Sequence, residues 1–142
     1  MHRTTDVESF DARLHEPDLG RYYENFDTAS WLNDDHNVVF QEGDSFGVFA
    51  YEMPHVYTAH YMFRKEHRGK EARELSLNML REMRKTYGAY TIRGLIDVDN
   101  RPSRLMTRLL GFKSYGIIAG RHGPCEIFCL DLNERFKDEI DG

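Results

Sequence analysis

The chain has 142 residues, of which 40% are hydrophobic, 30% charged and 13% aromatic. This length predicts a single domain, residues 1–142, that buries a core without disulfides or metal ions. A formal net charge of −5 excludes the basic surface of a general nucleic-acid binder. No apolar run reaches the roughly 20 residues of a membrane span, and the first residues lack the apolar segment of a secretory signal. We therefore expect a cytoplasmic protein with neither a nucleic-acid nor a membrane partner.

The two cysteines, Cys125 and Cys129, support a reducing compartment. They lie four residues apart in a segment with the pattern of a strand, which places them on one face about 13 Å apart. That separation is too long for a disulfide. We expect two reduced, half-buried thiols.

Two short helices are predicted in the first third of the chain, over Thr5–Leu14 and Leu19–Leu32. Pro17 should end the first helix, and Thr5 or Asp6 is its candidate N-cap. Aromatic residues concentrate in this third, which suggests elements that lie over a core or a cleft. These residues are Phe10, Tyr22, Tyr23, Phe26 and Trp31.

From residue 37 the apolar period changes to two, which is typical of strands. Asn37–Glu42 and Phe46–Met53 are predicted strands joined by a hairpin turn, and Val56–Phe63 is a third. Alternation along the third strand divides its residues between two faces. One face carries Val56, Thr58, His60 and Met62, and the other carries Tyr57, Ala59, Tyr61 and Phe63.

The clearest helix runs from about Ala72 to Tyr87, where apolar residues recur every three or four positions, and it ends before Gly88. The strand Tyr90–Ile96 follows. A strand, a helix and a strand in succession imply a parallel, right-handed crossover within an otherwise antiparallel sheet.

A shorter helix is predicted over Pro102–Leu110, closed by Gly111, and two strands follow it, Phe112–Ala119 and Cys125–Leu132. The polar residues 133–142 form a tail. The short helix should turn its apolar residues inward: Leu105, Met106, Leu109 and Leu110. The predicted fold class is α/β, with a mixed, mostly antiparallel sheet of six to seven strands and helices on both faces.

The segment Arg68-Gly69-Lys70 stands where the third strand enters the long helix. Such a turn presents free backbone N–H groups at the positive end of a helix dipole, which suits a pyrophosphate. The alternative is an ordinary turn in which Gly69 merely eases the bend. The turn alone leaves both interpretations open.

A second segment runs from Asp97 to Phe112. Together with the turn at residues 68–70, it resembles the GNAT superfamily of acyl-CoA-dependent N-acyltransferases. In that family an Arg/Gln-x-x-Gly-x-Gly/Ala loop after the fourth strand holds the coenzyme A pyrophosphate, and a later Asn opens a short helix that ends in Gly-Phe. Residues 68–73 match the loop, and Asn100 with Gly111-Phe112 matches the helix. The resemblance covers residues 38–132. The sequence Arg-Gly-Lys-Glu-Ala, together with Tyr-Thr-Ala-His60 before it, is most similar to that of small members encoded by bacteriophages.

This resemblance implies the acyl-CoA N-acyltransferase fold and an N-acetyltransferase that uses acetyl-CoA as co-substrate. A primary amine would attack directly; it can be a protein lysine, a protein N-terminus or a small amine. Residues 1–36 would wall the acceptor side, where Tyr22, Tyr23 and Trp31 are candidate contacts, and residues 37–132 would bind the coenzyme. The implied coenzyme-binding residues are Tyr61, Met62, Phe63, Arg68, Gly69, Lys70, Glu71, Ala72, Arg73, Asn100, Ser103 and Arg104.

Two basic stretches should attract the coenzyme phosphates. The alternative interpretation is that they form an ordinary solvated surface. The first comprises Arg64, Lys65, His67, Arg68 and Lys70, and the second comprises Arg101, Arg104 and Arg108.

The sequence departs from the family pattern at three positions. Glu71 and Arg73 stand where the loop has small residues, and a carboxylate there repels a diphosphate. Thr107 stands where the family has the Tyr that protonates the leaving thiolate, and its hydroxyl can at best offer a hydrogen bond. Tyr115 or water would supply that proton instead, or the thiolate would leave unassisted. These departures support the alternative function, a non-catalytic binding or virion-associated protein on the same fold.

His60 is the candidate general base, because an imidazole removes protons near neutral pH and this one lies on the strand that carries the acyl group. A structural His bonded to a neighbouring strand is the alternative. Glu52 is a second candidate, and Asp97 could relay a proton or receive a cationic acceptor. The His spacings fit no metal site, so no metal is expected. The protein would be a monomer or a homodimer, in a bacterial or phage-infected cytoplasm.

Overall fold

The computed structural model describes residues 1–64 and 67–140, apart from the side chain of Ile140. Lys65 of the predicted basic stretch and residues 141–142 of the tail lie outside the described residues. The strands are β1 (His2–Arg3), β2 (Val38–Glu42), β3 (Ser45–Met53), β4 (Val56–Met62), β5 (Thr91–Asp97), β6 (Lys113–Gly120) and β7 (Gly123–Asp131). The helices are α1 (Val7–Leu14), α2 (Thr28–Leu32), α3 (Lys70–Tyr87), α4 (Arg101–Leu109), α5 (Leu132–Arg135) and α6 (Lys137–Ile140).

The strands form one sheet in the order β1-β2-β3-β4-β5-β7-β6. Neighbouring strands are antiparallel, except that β4 and β5 are parallel. The predicted mixed, mostly antiparallel sheet is confirmed, including the crossover through α3. The pairing of β1 with β2 was not predicted, because two residues carry no detectable period.

Helices cover both faces of the sheet and define two cores. On one face α3 packs Met79, Leu80 and Met83 against strand residues such as Phe49 and Phe128. On the other face α1 and α2 bury Phe10, Leu14 and Leu32 against β2, β3 and β4. Strand β4 contributes to both cores with alternate residues, as its pattern predicted.

The N-terminal helices begin where short side chains cap them. Asp6 accepts a hydrogen bond from the Ser9 amide at 3.1 Å and starts α1. The predicted continuous helix over Leu19–Leu32 is wrong. Only a 3₁₀ turn, Gly20–Tyr22, and the five residues of α2 are helical there. Asn25 between them has a left-handed φ of 64°, which a helix does not tolerate.

The inward face predicted for α4 is confirmed for Met106, which packs against the core, and for Leu110, but it is wrong for the other two leucines. Leu105 is 60% exposed and Leu109 is 49% exposed, whereas Thr107 and Leu110 are buried. The physical reason is an ion-pair cluster: Glu126 of β7 binds Arg104 at 2.7 Å and Arg108 at 2.6 Å. These contacts fix the rotation of the helix and turn Leu105 and Leu109 outward.

Helix α3 lies very close to the sheet where it crosses β3. A Cβ atom on Gly47 would overlap the Sδ of Met79 and stand 3.0 Å from its Cε. At its far end the helix stops at Gly88, whose φ of 67° is left-handed. No helix in the described part of the chain is both long and apolar enough to cross a membrane.

Candidate active site

Strands β4 and β5 separate after three paired residues, and this opening is here called the notch. Their pairing runs from Val56 opposite Thr91 to Thr58 opposite Arg93. Beyond it, each strand continues on its outer side, β4 against β3 and β5 against β7. Alternate residues within 59–62 and 94–97 therefore turn their backbone N–H and C=O groups into the notch, without a strand partner among the described residues. Such groups need partners, so the notch can bind an extended chain.

Strand β4, which forms one side of the notch, is followed in the chain by α3. The N-cap residue Gly69 has φ 76° and ψ −133° and offers no side-chain cap. The first bond of the helix runs from the Arg73 amide to the Gly69 carbonyl at 3.1 Å. The amides of Lys70, Glu71 and Ala72 consequently lack an intrahelical acceptor. The side chains of Lys70, Glu71 and Arg73 are exposed, as is that of Arg68.

The loop before α3 is anchored by the β2–β3 hairpin. The fully buried Ser45 hydroxyl accepts the Arg64 amide at 2.8 Å and lies 2.7 Å from Nδ1 of His67. Both bonds tie the loop before α3 to the start of β3.

The Arg64 guanidinium belongs to the acceptor side rather than to the predicted phosphate-attracting stretch. It donates two hydrogen bonds of 2.6 Å to Glu16, just after α1. The bond from Arg64 is the main reason that the pKa of Glu16 is lowered. Arg64 thus fastens the N-terminal segment to the end of β4.

The hydroxyl of Tyr61 is buried and has no hydrogen-bond partner among residues 1–64 and 67–140. Its ring packs against Phe49 and Phe63 on the α3 face, and burial raises the pKa of the phenol. A buried donor without an acceptor costs free energy.

His60 projects to the opposite face, where α1 and α2 lie, and stands across from Val48 in the β3–β4 register. Burial lowers the pKa of its imidazole, and the charge of Glu52 opposes this only in part. The ring is therefore neutral at pH 7 and can accept a proton. Glu52 itself is exposed and accepts a hydrogen bond from the Thr58 hydroxyl at 2.8 Å.

A cavity of about 100 Å³ opens beside His60 on this face. Tyr23 and Trp31, two of the three aromatic residues predicted to touch the acceptor, line it. The third, Tyr22, points elsewhere and donates to Asp97 Oδ2 at 2.8 Å.

Asp97 ends β5 within a small polar cluster. Besides Tyr22 it receives the Cys125 thiol at 3.3 Å, and Arg21 lies 4.0 Å away. The contact with Tyr22 ties the N-terminal segment across to β5, over 75 positions of sequence. Sequence reasoning missed this contact and the Arg64–Glu16 pair because no local pattern signals either one.

Other predicted site residues have partners away from the notch. Asn100 caps α4 by accepting the Ser103 amide at 3.3 Å. The buried Thr107 hydroxyl donates to the Ser103 carbonyl at 2.7 Å. Arg104 donates to Glu126 and to the Val98 carbonyl.

Tyr115 is 68% exposed on the outermost strand β6, and β7 separates it from β5. Both cysteines are free and half-buried, as predicted. Within the described ranges, no group of three His, Cys, Asp or Glu side chains could hold a metal ion.

Comparison with known proteins identifies the fold. No family model and no curated protein matches the sequence. Solved structures do match. A chimera of the spermidine N-acetyltransferase SpeG from Vibrio cholerae and hSSAT superposes with a TM-score of 0.75 at 15% identity, covering 96% of each chain. SpeG from Vibrio cholerae in complex with manganese ions gives a TM-score of 0.69 at 13% identity, over 96% of this chain and 94% of that one.

A GNAT-family acetyltransferase from Bacillus anthracis is also similar, with a TM-score of 0.63 at 18% identity over 90% of each chain. All three superpose over at least 90% of this chain. The chain therefore has the fold of the GNAT N-acetyltransferases.

Proposed function

We propose that this protein is a GNAT N-acetyltransferase that moves an acetyl group from acetyl-CoA to a primary amine. The observation that carries the proposal is the notch between β4 and β5, together with the uncapped start of α3 that follows β4 in the chain. The similarity of the whole fold to N-acetyltransferases supports the same activity.

The residues present fit an extended coenzyme. The free edge of β4 at Tyr61, Met62 and Phe63 would hydrogen-bond the pantetheine arm as an added strand does. At the start of α3, the backbone amides of Lys70, Glu71 and Ala72, which have no acceptor within the helix, would hold the pyrophosphate.

The exposed cations Arg68 and Arg73 would add charge and offset Glu71. At the start of α4, Asn100 and Ser103 would lie beside the coenzyme. Arg104 is left out, because its guanidinium is bound to Glu126.

The chemistry requires a base and a hydrogen-bond donor. Acetyl-CoA supplies the acyl thioester. His60, neutral and facing the acceptor side, would take a proton from the amine as the new N–C bond forms and the C–S bond breaks. A backbone amide of β4 near Met62 would donate to the carbonyl oxygen. Glu52 and Asp97 are the secondary candidates for the base.

The departing thiolate takes its proton from water in this proposal. The Thr107 hydroxyl is engaged with a backbone carbonyl, and Tyr115 lies beyond β7. The kinship with bacteriophage-encoded members and the cytoplasmic location remain predictions from the sequence.

Binding of acetyl-CoA is tested by thermal unfolding. A ligand at 100 times its dissociation constant adds about 2.7 kcal/mol, which is about 10 °C for a domain of this size. No shift at millimolar acetyl-CoA would refute the proposal. A shift without release of free thiol in the presence of amines would support the non-catalytic alternative.

The role of His60 is tested by His60→Gln, with His36→Gln as the matched control, since His36 is exposed beside Tyr51 and Asp34. Loss of a general base lowers turnover about 10²- to 10⁴-fold. His60→Gln should show this loss while its affinity for acetyl-CoA stays near that of the parent. Equal turnover in both variants would move the base to Glu52 or Asp97.

A further inference from the structure

The cavity beside His60 has mostly apolar walls. It lies on the face of the sheet that carries α1 and α2, and His60 supplies its one imidazole. Its other lining residues are Phe10, Tyr23, Phe26, Trp31, Val48 and Ala50.

The aromatic walls are held by one another. Trp31 stands 6.0 Å from Phe10 and 6.1 Å from Phe26 between ring centroids, and Tyr23 stands 5.5 Å from Phe26. Phe10 is 1% exposed and Val48, on the floor, is 4% exposed. Because packed rings resist rearrangement, the cavity is preformed and its size selects what enters.

The cavity offers no negative charge to a cationic ligand. No carboxylate is among its lining residues in the described chain. Glu52, whose charge acts on His60, is not a lining residue; it is exposed and accepts a hydrogen bond from the Thr58 hydroxyl at 2.8 Å. Burial also raises the pKa of Tyr23 and lowers that of His60, so the surroundings oppose charge of either sign.

We infer that the acceptor is a primary amine whose carbon substituent is small, uncharged and apolar, seated in this cavity with its nitrogen at His60. The inference rests on the proposed function and names the substrate class of the same site. A cavity of about 100 Å³ is smaller than the roughly 150 Å³ that holds benzene, so an aliphatic group of four or five carbons fits better than an aryl group.

A series of amines tests this inference with the intact protein, acetyl-CoA and detection of released thiol. The series contains ethylamine, 3-methylbutylamine, 2-phenylethylamine, ethanolamine and spermidine. Each buried methylene is worth about a fourfold gain in kcat/KM. We expect 3-methylbutylamine to exceed ethylamine by at least tenfold and to exceed both spermidine and ethanolamine. A preference for spermidine, or equal use of all five amines, would overturn the inference.

Two variants alter the cavity from opposite sides. Ala50→Leu fills it from the β3 floor and should abolish the preference for 3-methylbutylamine over ethylamine. Trp31→Ala enlarges it and should shift the optimum to 2-phenylethylamine. Ala29→Leu adds the same side chain as Ala50→Leu on the exposed face of α2 and should leave the order of amines unchanged. An unchanged order in Ala50→Leu would also overturn the inference.

The two levels of proposal fail differently. If acetyl-CoA gives no thermal shift and no amine releases thiol, the proposed function falls and this inference with it. If acetyl-CoA binds and an amine is consumed, but the preferred amine is polar or carries further charge, only the inference about the cavity is overturned.

Discussion

The substitution Gly47→Ala tests how closely α3 is seated against the strands that form the notch. Gly47 is opposite Tyr61 in the β3–β4 register and is buried. An added Cβ would overlap the Sδ of Met79, whose side chain is fully buried. Overpacking of this kind costs about 1–3 kcal/mol. Replacing a glycine regains about 0.5–1 kcal/mol from the unfolded chain, so we expect a net loss of about 1–2 kcal/mol.

The measurement is thermal unfolding followed by circular dichroism. The unfolding entropy of about 2.1 cal/mol/K per residue converts the expected loss to a fall in Tm of about 3–7 °C for 142 residues. Gly94→Ala is the matched control, because Gly94 is a buried strand glycine whose added Cβ would stand 3.9 Å from its nearest neighbour, an ordinary contact. Its Tm should stay level or rise.

A double-mutant cycle shows whether the sulfur is the cause. Met79→Ala alone should cost about 2–5 kcal/mol. In the double variant, the loss of unfolding free energy should be smaller than the sum of the two single losses by about 1 kcal/mol or more, because the overlapping sulfur is gone. Additive losses, or equal Tm values for Gly47→Ala and Gly94→Ala, would refute the reasoning.

Three further predictions concern other elements. Gly88→Ala should lower stability by about 1 kcal/mol, because its φ of 67° strains any side chain; an unchanged Tm would contradict this. The pKa of His60 in the folded protein lies below its ordinary value of 6.5, so near that pH the unfolded chain binds more protons. The free energy of unfolding is therefore highest above pH 6.5 and falls as the pH drops below it. His60→Gln should therefore flatten the fall of Tm between pH 7 and pH 5, and a curve parallel to the parent would count against a lowered pKa at His60. Arg64→Met should return the pKa of Glu16 toward its ordinary value in an NMR titration, whereas no movement would show that the pair does not form in solution.

Much of the fold follows from local patterns. The period of two along β2, β3 and β4, and the helical period before Gly88, reflect burial of one face or stripe of each element, so a single sequence reveals them. The segment Leu19–Leu32 misled the prediction because its apolar content suits a helix, whereas Asn25 and Asp27 break it through local backbone geometry.

The orientation of α4 needed contacts from elsewhere. Its leucines at 105 and 109 predict an inward face, but Glu126 on β7 fixes the rotation of the helix through Arg104 and Arg108. An ion pair between residues about 20 positions apart has no local signature.

The candidate site also combines features that local patterns predict with features that depend on distant contacts. The sequence by itself determined which residues stand on the acceptor face of β4, where α3 begins and that Gly69 precedes it, because period and turn chemistry are local. Only the tertiary structure decided that β4 and β5 part after Thr58, that the Tyr61 hydroxyl has no acceptor among the described residues, and that Tyr23 and Trp31 wall a cavity at His60. Those features depend on where separate segments meet, and the meeting is set by packing over the whole sheet.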